Sequence, residues 1–142
     1  MFLAAKQQQA TIDEVAKAFG ISRNHLMKVG QRLTELGYVN ARRGRGGGLT
    51  LSRSPESINV GELVRLVEST GAFVECFDPK TNQCRVTGVC GLQAALSLAL
   101  RDFFARLDQF TLADLVPVPN KFLDRISAVE IYPVGVEKAD HG

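Results

Sequence analysis

Between Thr11 and Gly37 the chain encodes two amphipathic helices with almost nothing between them, and that compression limits the fold more than any other feature. Thr11 and Glu14 stand at capping-box spacing, which satisfies two otherwise unpaired amides at a helix start. Ile12, Val15, Ala16 and Phe19 then recur at helical spacing, and Gly20 supplies the left-handed residue that stops such a helix. Ser22 is a good N-cap for a second helix, whose stripe is Leu26, Val29, Leu33 and Leu36 and whose end is Gly37. Only Gly20 and Ile21 separate the two. With small Ala16 where the axes approach, this predicts either an αα-hairpin or a helix-turn-helix. In the second case the N-terminal residues of the second helix, Ser22, Arg23, Asn24, His25 and Lys28, face the major groove of double-stranded DNA.

The next segment favours the DNA-binding alternative. Tyr38, Val39 and Asn40 predict a short strand, Arg42-Arg43-Gly44-Arg45-Gly46-Gly47-Gly48 a loop tip, and Leu49 to Ser52 a returning strand with period-two alternation. Two helices followed by an Arg/Gly-tipped hairpin predict a winged helix. Its glycines let the backbone approach a duplex closely, while Arg42, Arg43 and Arg45 reach phosphates or the minor groove. A nucleotide-binding glycine loop fails on context, since a strand rather than a helix follows and no Gly-Lys-Ser/Thr is present.

Charge agrees with this division. Residues 1–54 carry nine Lys or Arg against three acids, a net of +6, while the remainder carries eight bases against twelve acids, a net of −4. A solvated basic face would give the same count, but the asymmetry suits a polyanion-binding part joined to a part with another task. At 142 residues there is room for one core and none for a two-domain cofactor enzyme. No apolar run approaches a membrane span and no signal peptide is visible, so a soluble cytoplasmic protein is expected.

Beyond Pro55, Asn59 and Glu62 cap a helix with Val60, Leu63, Val64 and Val67 as its stripe. Residues 69–90 lose periodicity and hold all three cysteines, Cys76, Cys84 and Cys90. From Gly91 to Phe110 the pattern Leu92, Ala95, Leu96, Ala99, Leu100, Phe103, Phe104, Leu107 and Phe110 predicts a long helix whose stripe is too wide for so small a domain. A second copy covers it most economically, giving a homodimer matched to palindromic DNA. Thr111 caps a short helix through Leu115, and the Pro-bearing tail from Pro117, ending in residues 137–142, reads as loosely ordered. The fold class is therefore mainly α with a small β-hairpin: a winged helix-turn-helix (1–56), a linker helix and cysteine loop (57–90), a dimerisation and cap helix (91–116) and a tail (117–142).

The cysteine spacing fits neither a zinc knuckle, which prefers pairs two to four residues apart, nor a ferredoxin, which uses Cys-x-x-Cys runs. Three thiolates on one loop suit an iron–sulfur cluster whose fourth position is filled from elsewhere, leaving one iron open to small molecules. Buried unligated cysteines are the alternative, although Glu75, Asp78, Lys80, Asn82, Gln83 and Arg85 mark the loop as polar.

The string Gly20 to Val29, the wing from Arg43 to Leu49, the cysteine triad and Phe110 to Val116 together resemble the nitric-oxide-sensing repressors among the winged-helix iron–sulfur regulators, over residues 2–116. The resemblance implies a homodimer carrying one [2Fe-2S] or [4Fe-4S] cluster per subunit on Cys76, Cys84 and Cys90. It also implies that the cluster-bound form represses nitric-oxide detoxification genes and releases DNA when nitric oxide attacks the cluster. Members of the family usually begin about a dozen residues earlier, an acidic residue of that segment, supplied by the partner subunit, being the non-cysteine ligand, and Met1 to Ala5 look like the interior of that first helix. Two other functions stand beside it: an iron–sulfur or thiol-redox regulator responding to iron or oxidants rather than nitric oxide, the thiol form closing a Cys84–Cys90 disulfide, and a small electron-transfer iron–sulfur protein. No nucleophile–base pair suggests an enzyme, His25 lying on the DNA-facing helix and His141 in the tail.

Overall fold

The computed structural model describes residues 1–68 and 74–128. Six helices, α1 (Phe2–Lys6), α2 (Ile12–Phe19), α3 (Arg23–Glu35), α4 (Val60–Val67), α5 (Gly91–Leu107) and α6 (Pro119–Ala128), accompany one hairpin, β1 (Val39–Arg42) and β2 (Gly48–Leu51). Single 3-10 turns at Pro55–Ser57 and Glu75–Phe77 complete the described elements. The start of the predicted cysteine loop, 69–73, and the tail beyond 128, with His141, lie outside the described residues.

The helix-turn-helix forms by the expected local chemistry. The Glu14 amide donates to Thr11 Oγ1 at 3.1 Å and the Thr11 amide to Glu14 Oε2 at 2.7 Å, closing the capping box. Gly20 stops α2 at φ 63°, and the Ser22 hydroxyl accepts from the His25 amide at 3.5 Å to start α3. After α3, Gly37 takes φ 74° and turns the chain into the wing.

The hairpin pairs antiparallel from Val39↔Leu51 to Arg42↔Gly48. Ala10 joins it as a third rung, its amide donating to the Leu49 carbonyl at 3.0 Å and its carbonyl accepting from the Leu49 amide at 2.7 Å. Gly48 is required there, because a Cβ would stand 2.7 Å from the Ala10 carbonyl oxygen. The wing is therefore tied to the segment that precedes the helix-turn-helix.

A second seam joins the wing end to the C-terminal half. The Leu112 amide donates to the Ile58 carbonyl at 2.8 Å and the Val60 amide to the Phe110 carbonyl at 2.9 Å. The Asn59 side-chain amide donates to the Asp108 carbonyl at 2.7 Å while its oxygen caps α4 on the Glu62 amide at 2.9 Å. Arg65 closes the seam with a bidentate pair to Asp108 at 2.5 and 2.7 Å, its guanidinium lying 4.6 Å from the Phe104 ring centroid. Gly61 lies against this turn, and a Cβ there would collide with the Asp108 carboxylate and backbone.

One core results. Ala4, Ala5, Tyr38, Val39, Ile58, Leu112 and Val116 are buried together, with Leu33, Leu36, Leu49, Leu51, Leu63 and Phe122 packed around them. Residues from α1, the wing and the stretch after α5 contribute to this interior.

Three expectations are corrected. The long helix ends at Leu107 rather than Phe110, because the Asp108 side chain and the Phe110 carbonyl are drawn into the seam. Residues 111–115 form turns rather than a helix: Thr111 and Asp114 cap one another, but the Leu112 and Ala113 amides are donated to Ile58 and Pro55. The expected loose tail instead forms α6 over Pro119–Ala128, packed on α1 and α2. Pro119 occupies a first-turn position where a missing amide costs nothing, and the Phe122 ring lies 6.5 Å from Phe19, itself 6.1 Å from Phe2.

The Arg65 guanidinium holds the Asp108 carboxyl below its ordinary value of 3.8 by hydrogen bonding, and the Thr111 amide and hydroxyl do the same for Asp114. A carboxylate depressed by folding contributes stability above its ordinary pKa and loses it as pH falls through the lowered one. Asp108→Asn is therefore expected to lower the Tm at neutral pH and to flatten its decline below about pH 4. Differential scanning fluorimetry across pH checks this, and an acid limb as steep as that of the wild type would separate Asp108 from folding.

Candidate functional site

Ser22, Arg23, Asn24, His25 and Lys28 occupy the N-cap and first turns of α3, and all are exposed. The unpaired amides of a helix start make this end electropositive, which suits an approaching phosphate. Arg23 is already engaged, donating to Asp13 Oδ1 at 2.7 Å, with Met27 Sδ 3.3 Å away. Asp13 of α2 thus holds the first basic side chain of α3 in place, a role that an exposed position on α2 gave no means of reading from the sequence. Ser22 Oγ accepts within the cap, which leaves its hydroxyl proton available for an outside acceptor.

Arg42 ends β1 opposite Gly48, and Arg43 and Arg45 stand on the tip, all three exposed. Gly44 at φ 89° and Gly46 at φ 76° allow the tip to turn, and the Gly47 amide donates to the Gly44 carbonyl at 2.9 Å. Gln9 Nε2 donates to the Gly46 carbonyl at 2.7 Å and pins the tip to the segment before α2. Gln9 sits in a polar run with no periodicity, so sequence reasoning missed it. Among the described residues, Lys28, Arg42, Arg43 and Arg45 enter no ion pair, and their charge is directed to solvent.

The three cysteines are half-buried free thiols on the segment leading into α5. That segment is built from its own polar side chains. The Cys84 amide donates to Asn82 Oδ1 at 3.0 Å and the Cys84 carbonyl accepts from Thr87 Oγ1 at 2.8 Å. The Gln83 amide donates to Glu75 Oε1 at 2.6 Å, Asp78 accepts from the Lys80 amide and Thr81 hydroxyl, and Cys90 is the N-cap of α5. Gln93 on the first turn of α5 reaches back to Cys76 and Gly88. The donor set, three thiols with no cage of hard oxygen ligands, has the chemistry of an iron–sulfur centre rather than of a calcium or magnesium site. Among the described residues, no three His, Cys, Asp or Glu side chains stand together as a group that could hold a metal ion, so Cys76, Cys84 and Cys90 share one segment without being gathered at one point.

Helix α4 stands between these two regions. On one side Arg32 of α3 donates to the Leu66 carbonyl at 3.4 Å. On the other, Arg65 shares a cleft of about 600 Å³ with Cys76, Phe77, Ser97, Leu100, Arg101 and Phe104. On α5 only Phe104 is buried, while Leu92, Leu98 and Phe103 are 64%, 51% and 53% exposed, so much of its apolar surface is uncovered by the described residues. Among the described residues no helix is long and apolar enough to cross a membrane.

Known proteins share this arrangement. The family described as Rrf2, iron-dependent transcriptional regulator, matches residues 1–117. The HTH-type transcriptional regulator NsrR of Bacillus subtilis (strain 168) is 49% identical over 118 residues, covering 82% of this chain and 81% of that protein. NsrR of Bacillus licheniformis is 43% identical over 118 residues, 82% of each chain. Among solved structures, T. potens IscR superposes with a TM-score of 0.61 at 24% identity, over 82% of this chain and 77% of that one. The Bacillus subtilis global cysteine regulator CymR gives 0.59 at 23%, over 81% and 84%. The NsrR proteins and CymR are named as regulators, not as enzymes, and the two structures share the winged-helix fold. With a family match over most of its length and near-half identity to a named regulator, the chain belongs to the Rrf2 family of transcriptional regulators.

Proposed function

We propose that this regulator is a homodimeric repressor of nitrosative-stress genes that reads a palindromic operator and senses nitric oxide through an iron–sulfur cluster on Cys76, Cys84 and Cys90. The observation that carries the reading is the position of α4, which touches the recognition helix through Leu66 and Arg32 and borders the Cys76 cleft through Arg65. The link to α3 is this one hydrogen bond, and in this reading a change in the cysteine loop reaches the DNA-reading helix through α4 and Arg32. The identity to NsrR proteins supports the signal. A bound cluster, [2Fe-2S] or [4Fe-4S], would supply iron that reacts with nitric oxide. The chain's own part is to present three thiols, hold the loop against α5 and pass its conformation to α3.

In this reading Ser22, Arg23, Asn24, His25 and Lys28 contact bases and phosphates, and Arg42, Arg43 and Arg45 hold the backbone or minor groove. Asp13 orients Arg23 and adds a negative charge that favours a base edge over a phosphate as its target. The exposed apolar side chains Leu92, Leu98 and Phe103 of α5 are covered by the second subunit, which sets two recognition helices on one face of a duplex.

Replacing Asn24 or His25 by Ala is expected to weaken operator binding by about 1–3 kcal/mol and relax specificity at single positions. Arg43→Ala and Arg45→Ala should weaken all sequences alike and each lower the salt slope by about one. Fluorescence anisotropy on an operator selected from random duplexes, at several salt concentrations, reads both; wing variants with full affinity at every salt would exclude the wing from the interface. Phe103→Asp, which places an unpaired charge in the proposed interface, should convert the dimer to monomer by analytical ultracentrifugation while leaving the circular-dichroism spectrum intact. A variant that stays dimeric would remove this face from the contact.

The sensing step is tested by titrating that operator with cluster-loaded protein before and after nitric oxide. At least a tenfold loss of affinity is expected, equivalent to about 1.4 kcal/mol of coupling. Unchanged affinity, with cluster absorbance shown to be bleached, would refute the sensor mechanism.

A further inference from the structure

One side chain holds the cysteine loop at both ends. Gln93 lies three residues after Cys90, on the first turn of α5, and is half-buried. Its Nε2 donates to the Cys76 carbonyl at 3.3 Å, and its Oε1 accepts from the Gly88 amide at 3.3 Å. The amide thereby fastens the residue carrying the first thiol to the approach of the third, across the chain between them. Cys84 is fixed differently, through Asn82 and Thr87 within the loop. Cys76 opens onto the cleft shared with Arg65 of α4, so Gln93 holds the backbone of a cysteine that lines this cleft.

We propose that Gln93 is a positioning residue that closes the cysteine loop onto α5, restraining Cys76 and slowing release of a cluster held there. The part concerning the cluster rests on the function proposed above. Gln93 supplies no thiol and touches only backbone, so its effect is conformational: it removes alternatives open to Cys76 and lowers the entropy lost when ligation fixes the loop. The clamp uses a donor and an acceptor side by side at the end of a long neutral side chain, which the glutamine amide provides. A glutamate of the same length retains the acceptor for Gly88 but sets an oxygen against the Cys76 carbonyl. A methionine of similar length retains neither bond.

The two bonds are long, and neutral bonds of this kind shift a local opening equilibrium by about threefold each. The test uses the full chain, reduced and free of metal, pulsed with iodoacetamide, with alkylation of each cysteine followed by peptide mass spectrometry. Gln93→Met is expected to speed Cys76 alkylation about tenfold and Gln93→Glu about threefold, with Cys84 changing less than twofold. That selectivity separates positioning from general destabilisation, which would accelerate all three. Cluster-loaded samples are then challenged with an iron chelator, and Gln93→Met should lose visible absorbance several times faster than wild type, with Gln93→Glu between them.

Equal Cys76 alkylation in wild type and Gln93→Met would overturn the proposal. Faster alkylation with unchanged absorbance loss would overturn it as well, because the clamp would then have no bearing on the cluster. A wild type that took up no cluster would instead refute the preceding function, and the alkylation ratio would still decide whether Gln93 restrains Cys76.

Discussion

The two short backbone bonds between Ile58 and Leu112 and between Val60 and Phe110 are the constraint on which the rest of the molecule depends. They join a segment just beyond the wing to one just beyond the long helix, some fifty residues apart, and bury Ile58 to 1% exposure between them. Backbone groups in a buried seam must pair with each other, since water cannot reach them. Asn59 and the Arg65–Asp108 pair add side-chain bonds to the same junction, and Gly61 leaves room for it. This junction fixes α4 against the end of α5, while α6 packs on α1 and α2 beyond it.

The DNA-facing half follows a different logic, in which order comes from polar contacts outside the core. Gln9 and Ala10 fix the wing, and Asp13 fixes Arg23. Surface ion pairs of this kind contribute little to stability. Their effect is on orientation, since the bond to Asp13 holds the Arg23 side chain in one arrangement. The wing arginines, exposed and unpaired among the described residues, suit the opposite task of broad attraction to a polyanion.

The cysteine segment combines both habits. Side chains of Glu75, Asp78, Asn82, Thr87 and Gln93 satisfy its backbone, so a stretch without periodicity nevertheless has defined turns. Asn and Asp are well suited to this, since their short polar side chains bond to amides two or three residues on. A loop organised in this way has part of the ordering cost of its turns met by its own side chains.

The local elements were legible in the sequence because their causes are local. The capping box at Thr11 and Glu14, the stop at Gly20, the start at Ser22, the Arg/Gly wing and the N-cap at Asn59 each depend on residues within one turn of each other, and each forms where the spacing indicates. The likeness of residues 20–49 and the cysteine triad to a known regulator class likewise pointed to the family. What only the tertiary structure decided are pairings between distant segments. Leu112 and Ala113 give their amides to Ile58 and Pro55 instead of to a helix, Asp108 ends α5 by turning to Arg65, and the Pro-bearing stretch after Val116 becomes a helix because α1 and α2 offer it an apolar surface. Local propensity fixes how a segment begins and ends when nothing competes for its hydrogen bonds and apolar face. Where a distant segment competes for either, the outcome depends on burial across the whole chain, which no short window of sequence contains.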